Sequence, residues 1–128
     1  MKSTFVIMMK LMPLISKFIL KCLKNTHPDI ELPNLVPVAI GRSPLTQITN
    51  KRLSKKHCKF VANLPKKQVH FTVIGHNNAR LNGVKVIAKN ESVLLKSGDK
   101  IELLEGLYEH ELIILKSEPE IREGNKIE

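Results

Sequence analysis

A short run of cationic and hydroxyl side chains between residues 40 and 57, IGRSPLTQITNKRLSKKH, is the part of this sequence best suited to chemistry. The candidate residues of the run are five cations, one of its two serines and a histidine, namely Arg42, Lys51, Arg52, Ser54, Lys55, Lys56 and His57. A guanidinium can donate paired hydrogen bonds to a phosphate, while an ammonium or a hydroxyl donates to single oxygens. The run therefore predicts an anion-binding surface. It leaves open a solvated basic loop, a nucleic-acid patch and a site for one particular anion.

The charge of the whole chain also favours an anionic partner. The 128 residues carry a formal net charge of +9, and the isoelectric point is about 9.7. Partners that suit such a charge are nucleic acid, an acidic or phosphorylated protein, and a membrane surface. Hydrophobic residues make up 42% of the chain and tryptophan is absent, which predicts one domain with an aliphatic core.

Neither the cysteines nor the other histidines have the spacing of a metal or catalytic site. Cys22 and Cys58 form no CxxC motif and are too few for a disulfide scaffold, so we expect two reduced, partly buried thiols. The histidines other than His57 are scattered along the chain, namely His27, His70, His76 and His110. We therefore expect no metal and no cofactor. The sequence has no Walker A loop, paired carboxylates or nucleophile elbow, which favours a binding domain over an enzyme.

The first 28 residues contain no acid, and residues 4–23 are mostly apolar. A transmembrane helix is disfavoured because Lys10, Pro13 and Lys17 interrupt the apolar run. A secretory signal would need a longer apolar core and a small-residue cleavage site. We predict that residues 1–17 form an extension leading into the first strand. A mitochondrial presequence is the alternative, although such sequences favour arginine and serine over lysine.

Short apolar runs separated by turn residues predict an all-β fold from residue 18 onward. QVHFTVI would place Val69, Phe71 and Val73 on one face of a strand. Pro37, in LVPVAIG, indicates an edge strand or the start of a strand. Repeated short strands at close spacing are typical of a β-sandwich or barrel, and no sustained helical period follows residue 24. We predict a domain over residues 18–116 and a polar tail over residues 117–128.

The order of these signals resembles that of the forkhead-associated (FHA) domain. The matching elements are Gly41-Arg42, Ser54-x-x-His57, Asn77, and Asn82-Gly83 followed by LLKSGDKIEL. Three further segments resemble the FHA domains of the aprataxin and polynucleotide kinase-phosphatase family of DNA strand-break repair enzymes, namely ELPNLVPVAIGR, GRSPLTQIT and VIGHNNA. The resemblance implies an eleven-stranded β-sandwich of two antiparallel sheets that binds phosphothreonine.

The resemblance also implies three sets of site residues. The phosphate-binding set is Arg42, Arg52, Ser54 and Lys55. The peptide-binding set is Asn77, Lys51 and Lys56. The structural set is Gly41, His57, Asn82 and Gly83. By the same resemblance, Asn77 would bond the ligand backbone and His57 would brace the loop that carries Gly-Arg.

Several residues depart from the family pattern. Ser43 stands where the family usually has a second glycine, and Asn78 and Ala79 stand where the generic pattern has Gly and Thr. Lys55 stands where an arginine is usual, and because a lysine cannot fork around a phosphate we expect a looser contact there. His57 is closer to generic FHA domains, since the repair subfamily often lacks a histidine at this position.

The resemblance implies a monomeric, nuclear module recruited to phosphothreonine-containing acidic segments of DNA strand-break repair scaffold proteins. We expect no membrane partner, and no catalytic domain like that of the related repair enzymes in this chain. The alternative function is a basic nucleic-acid-binding domain acting through non-specific phosphate contacts. The charge supports this alternative, but aromatic residues are only 4% of the chain, so stacking platforms for bases are scarce. Weak DNA contact through the lysines is a candidate secondary activity.

Overall fold

Short antiparallel strands make up the fold, which was obtained as a computed structural model that describes residues 16–116. The predicted tail and residues 1–15 of the predicted extension lie outside the described residues. Residues 16–116 form ten strands, whereas the resemblance implies eleven for the domain: β1 Ser16–Cys22, β2 Ile30–Leu32, β3 Val38–Ile40, β4 Cys58–Asn63, β5 Gln68–Val73, β6 Ala79–Leu81, β7 Lys85–Ile87, β8 Ser92–Leu95, β9 Lys100–Leu104 and β10 Leu107–Lys116. Residues 16–116 contain no helix, which confirms the all-β prediction, and hence no helix able to cross a membrane.

Two sheets form a sandwich. The larger sheet has six strands in the order β2-β1-β10-β9-β6-β7, and the smaller has four in the order β3-β4-β5-β8. All paired strands are antiparallel, and an isolated parallel bridge joins Asn34 to Ala62. The longest pairing joins β1 to β10, with Ser16 opposite Lys116 and Cys22 opposite His110. This architecture confirms the predicted β-sandwich of two antiparallel sheets.

The core lies between the sheets and comes from the inward face of each strand. Val69, Phe71 and Val73 are fully buried, as the alternation in β5 predicted. Phe71 lies opposite Phe60 on β4, and their ring centroids are 5.0 Å apart at a tilted angle that aromatic pairs favour. The other large buried side chains are mostly leucine and isoleucine, in keeping with a core that has no tryptophan.

The turn and edge signals have the positions that the sequence indicated. Pro37 directly precedes β3, which is an edge strand of the smaller sheet, so its missing N–H leaves no gap inside a ladder. Asn82 and Gly83 follow β6 with φ values of 52° and 71°. Glycine adopts this left-handed backbone without strain and asparagine tolerates it, which explains the Asn-Gly pair at this turn.

Candidate phosphate-binding site

Two loops leave the same edge of the smaller sheet. The β3–β4 loop spans residues 41–57, and the β5–β6 loop spans residues 74–78. Ile40 at the end of β3 pairs with Cys58 at the start of β4, which in turn pairs with Val73 at the end of β5. Because these three residues line up across the sheet, both ends of the first loop and the start of the second emerge side by side. We call this region the loop edge.

A glycine allows the two ends of the β3–β4 loop to touch. A Cβ atom at Gly41 would overlap the backbone oxygens of Ser54 and Lys55. The neighbouring Arg42 N–H donates to the Ser54 carbonyl oxygen at 3.0 Å. Only a residue without a side chain fits at position 41, which is the physical reason for glycine in the Gly-Arg pair.

Arg42 is fixed in place beside Ser54. Its Nε donates to the Leu53 carbonyl oxygen at 3.1 Å, and Leu53 itself is fully buried. The guanidinium is therefore anchored at one nitrogen, while its two terminal amino groups have no hydrogen-bond or carboxylate partner among residues 16–116. This arrangement suits paired donation to an anion such as phosphate.

A buried threonine hydroxyl organises the first half of the same loop. Thr46 Oγ1 donates to the Gly41 carbonyl oxygen at 2.6 Å and accepts from the Ile48 N–H at 3.3 Å. The Thr46 side chain is fully buried, so these bonds satisfy a polar group that would otherwise be costly. Thr46 was missed as a site residue from the sequence, where it is one polar residue among several.

An asparagine turn presents the second half of the loop. Asn50 Oδ1 accepts from the Arg52 N–H at 2.9 Å, and the Leu53 N–H donates to the Asn50 carbonyl oxygen at 3.0 Å. With Leu53 inserted into the core, Lys51 and Arg52 are left exposed at the tip of the turn. Lys55 and Lys56 are exposed just after it. None of these cations forms an ion pair within the described residues.

His57 joins both loops through its backbone. Its N–H donates to the Ile40 carbonyl oxygen at 3.1 Å. Its own carbonyl oxygen accepts from the N–H groups of Ile74 and Gly75 at 2.7 and 3.0 Å. The end of β3, the end of the first loop and the start of the second are therefore held at one point.

The His57 ring adds a fourth bond and is held neutral. Nδ1 accepts from the Ser54 N–H at 3.1 Å, so the ring proton of the neutral form lies on Nε2. Burial lowers the pKa of His57 below its usual value by disfavouring the imidazolium, and the nearby Asn77 backbone acts weakly in the opposite direction. Nε2 has no hydrogen-bond partner within 3.5 Å among the described residues.

Position 75 also requires a glycine, because the second loop passes close to the side chains of His57 and Ser54 there. A Cβ atom there would overlap His57 Nδ1 and would lie 2.7 Å from His57 Cε1 and 2.8 Å from Ser54 Oγ. A side chain would push the histidine and the serine away from the second loop. Gly75 was not assigned as a site residue from the sequence, although it lies within the VIGHNNA segment that carries part of the resemblance.

Asn77 links the second loop to the first. Its Nδ2 donates to the Arg52 carbonyl oxygen at 2.8 Å, and the side chain is exposed. Its amide oxygen and remaining amide hydrogen have no partner in the part of the chain that the structure describes. An exposed amide with one donor and one acceptor left over is suited to pairing with an extended peptide backbone.

Asn82 and Gly83 do not join this group. They lie at the other end of β6 from Asn77, and a three-residue strand spans about 10 Å. Asn82 Oδ1 accepts from the Lys100 N–H at 2.8 Å, and Nδ2 donates to buried Asp99 at 3.1 Å. These bonds tie the β6–β7 turn to the start of β9, so this pair stabilises the sheet at a distance from the loop edge.

The two loops of the loop edge carry positive charges and no acidic residue. Residues 32–90 contain no aspartate or glutamate, and both loops lie within this stretch. Arg42, Arg52, Lys51, Lys55 and Lys56 therefore have no acid close to them in sequence to offset their charge. Such a clustering of four exposed cations and the half-buried Arg42 favours an anionic ligand and speeds its encounter at low salt.

Comparisons with known proteins find similar sequences and similar folds. A family model described as FHA domain matches residues 18–89. Aprataxin from Ciona intestinalis is 36% identical over 94 residues, which are 73% of this chain and 24% of the relative. The chain therefore spans about a quarter of the length of this curated relative.

Two solved structures share the fold. The FHA domain of human APLF in complex with an XRCC1 bisphospho peptide is 25% identical, with a TM-score of 0.64 covering 76% of this chain and 97% of that one. The N-terminal FHA domain of S. cerevisiae Rad53p in complex with a phosphothreonine peptide is 23% identical, with a TM-score of 0.60 covering 78% and 93%.

Replacing Gly41 by alanine is expected to disrupt the contact between the two ends of the β3–β4 loop. The added Cβ overlaps backbone atoms that cannot rotate away, so we expect a loss of about 1–3 kcal/mol in the free energy of unfolding. Urea denaturation measures the change, and Ser43→Ala, two residues further along the loop, is the control. A Gly41→Ala protein as stable as the control would contradict this account of the close approach.

The buried neutral His57 is expected to make stability depend on pH. Because its folded-state pKa lies below the unfolded value of about 6.5, the unfolded chain takes up a proton that the folded chain does not. Stability should therefore be full above about pH 6.5 and fall as the pH drops below it. In His57→Asn the fall should be shallower, whereas exposed His70→Asn should follow the wild type. Equal slopes for His57→Asn and wild type in urea titrations from pH 7.5 to 5 would refute the prediction.

Proposed function

The chain belongs to the FHA domain family, and from this premise we propose that its loop edge binds a peptide containing phosphothreonine. The FHA domain is a binding module and not a catalytic one. The observation that carries the proposal is the Arg42 guanidinium, which is anchored to the Leu53 carbonyl beside Ser54 and has its terminal donors unused among the described residues. The nearby exposed cations and the absence of acid from residues 32–90 support it.

The proposed division of labour follows from the donors that each side chain offers. A phosphothreonine carries a charge of roughly −1.5 to −2 and three acceptor oxygens. Arg42 would supply the paired donors, the Ser54 hydroxyl a single bond, and Arg52 and Lys55 further positive charge. Asn77 would hold the peptide backbone next to the phosphothreonine.

Pre-organisation supports the same function. The hydrogen bonds of His57, the close contact at Gly41 and the buried side chains of Thr46 and Leu53 fix the loops without any ligand. Binding then costs little additional ordering of the protein, which favours affinity. Lys51 and Lys56 remain exposed around this frame, where they would favour acidic residues flanking the phosphothreonine.

We further propose that the ligand is a phosphorylated acidic segment of a DNA strand-break repair scaffold protein, encountered in the nucleus. The 36% identity to an aprataxin and the likeness to an APLF domain seen with an XRCC1 bisphospho peptide support this choice. Direct binding of nucleic acid through the same cations is the second candidate, since the loop edge is basic whatever the ligand.

Calorimetry with three matched acidic peptides tests the proposed ligand class. The peptides carry phosphothreonine, phosphoserine or unmodified threonine at the same position. We expect binding to the phosphothreonine peptide and loss of that binding after phosphatase treatment. Equal affinity for all three, or a duplex DNA that binds more tightly with a steep salt dependence, would favour a generic polyanion surface instead.

Replacing Arg42 by alanine is expected to remove most of the phosphopeptide affinity while leaving the fold intact. Losing charge-assisted paired bonds to a phosphate costs about 2–4 kcal/mol of binding free energy. Arg42→Lys should bind with intermediate affinity, because a lysine keeps the charge without the fork. Lys85→Ala, which removes an exposed cation on edge strand β7, is the control. Affinity near wild type in a folded Arg42→Ala protein would sink the assignment of this residue.

A further inference from the structure

A second cluster of chemically active side chains lies in the larger sheet, away from the cations of the loop edge. Cys22 is the last residue of β1, and His110 lies directly opposite it on β10. His27 joins them from the turn between β1 and β2. All three are buried, with exposed fractions of 5%, 6% and 1% for Cys22, His27 and His110. The sequence predicts no metal here because His110 is 83 positions from His27, whereas the fold brings one ligand atom from each residue to within 4.8 Å of the others.

The two imidazole rings are oriented so that two lone pairs face each other. His27 Nδ1 lies 2.8 Å from the Pro28 carbonyl oxygen, and His110 Nδ1 lies 2.8 Å from the Tyr108 carbonyl oxygen. A carbonyl oxygen can only accept, so both Nδ1 atoms carry the ring proton. The Nε2 atoms, which are then unprotonated in neutral rings, are 2.9 Å apart. Two facing lone pairs at this distance repel each other unless a cation lies between or beside them.

We propose that Cys22, His27 and His110 form a binding site for zinc or a similar transition-metal ion. Thiolate sulfur and imidazole nitrogen are ligands that zinc prefers. In each histidine the Nδ1–H already donates a hydrogen bond to a backbone carbonyl oxygen, which leaves Nε2 for the metal. Such a bond from the nitrogen that does not bind the metal is the usual contact that orients a metal-bound histidine. The site is distinct from the proposed phosphate pocket and from the residues that resemble the FHA motif.

The spacing of the two imidazole nitrogens needs little adjustment to accept the ion. Two nitrogens each about 2.0–2.1 Å from a tetrahedral zinc lie about 3.3 Å apart, so the rings need to separate by only a few tenths of an ångström. Cys22 and His110 sit on paired strands of a rigid sheet, and His27 sits on a turn that can supply this movement. Cys22 Sγ and Thr26 Oγ1 are hydrogen-bonded at 3.2 Å. A metal-bound thiolate can keep this bond by accepting from the hydroxyl.

The protonation states agree with ligand binding. Burial holds the pKa of His110 down to about 4, so this imidazole is neutral. Burial alone would raise the pKa of the Cys22 thiol, but hydrogen bonds from the Thr26 hydroxyl and from backbone groups of residues 24, 26 and 27 outweigh it and lower that pKa. Cys58, the other thiol, lacks such donors, and burial raises its pKa strongly.

Three protein ligands leave one position of a tetrahedral ion open. A cavity of about 250 Å³ adjoins the cluster, lined in part by Lys24, Glu109 and residues 47–49. Water from this cavity can occupy the fourth position, as it does in zinc sites with three protein ligands. The site should therefore exchange metal with a chelator more readily than a closed four-ligand site.

Metal titration of the full chain tests the proposal. With zinc added to metal-free protein, we expect about one ion bound per chain and a higher melting temperature. Cys22→Ser and His110→Gln should each weaken zinc binding by at least ~10-fold, since even the loss of an outer-shell contact costs about 10- to 100-fold. Cys58→Ser, which removes the other buried thiol, should bind zinc like the wild type. Absence of zinc binding, or a melting temperature indifferent to zinc, would overturn the proposal in favour of a proton shared between the two histidines. Unchanged zinc binding in Cys22→Ser would overturn it by showing that the metal binds without this thiolate.

A measurement on the wild-type chain keeps the test independent of how the variants fold. Cobalt(II) bound in place of zinc should give a thiolate-to-cobalt charge-transfer band in the near ultraviolet. Peptide mass spectrometry after alkylation should then show Cys22 protected by the metal. Absence of the band, or protection of Cys58 alone, would contradict the assignment.

Discussion

The arrangement of the loop edge depends on one buried, neutral histidine. His57 accepts at Nδ1 from Ser54 and makes three backbone bonds, to Ile40, Ile74 and Gly75. A protonated ring could not accept at Nδ1, so the bond from the Ser54 N–H, which holds the end of the first loop, requires an uncharged imidazole. The side chains of Lys51, Arg52, Lys55 and Lys56 form no ion pair within the described residues and leave this frame to other groups. The loops are thus held mainly by backbone and uncharged groups, whereas the residues proposed to bind the anion are mostly charged, and Arg42 belongs to both sets.

Close backbone approach is the second constraint, and it explains why small residues recur around the histidine. Gly41 lies against the carbonyls of Ser54 and Lys55, and Gly75 lies against the His57 ring. Both loops are irregular, so they cannot use a strand ladder to satisfy their polar groups and rely on specific contacts instead. The side chains proposed to bind the ligand are therefore placed by neighbouring positions, Gly41 and Gly75, at which a larger residue would overlap its surroundings. Such placement suits binding loops carried by a rigid sandwich.

Much of the fold and part of the site could be predicted from local sequence patterns. Alternation in β5, the proline before β3 and the Asn-Gly turn are local features, and each has the structure that its residue types favour. The residues near Arg42 were grouped through a family resemblance that preserves order along the chain. Contacts such as Gly75 with His57, or Cys22 with His110, could not be predicted, because they depend on strand pairing between distant segments. The spacing of residues along the sequence does not indicate which distant strands pair.

The segment from Gln47 to Thr49 lies between two cavities. Its residues line the cavity beside the Cys22, His27 and His110 cluster, and they also line the surface cavity next to Arg42. Occupants of the two cavities would therefore share one wall. Any coupling that this wall carried would be equal in both directions, as thermodynamic reciprocity requires. These three residues are thus the place where the proposed metal site and the proposed phosphate site adjoin.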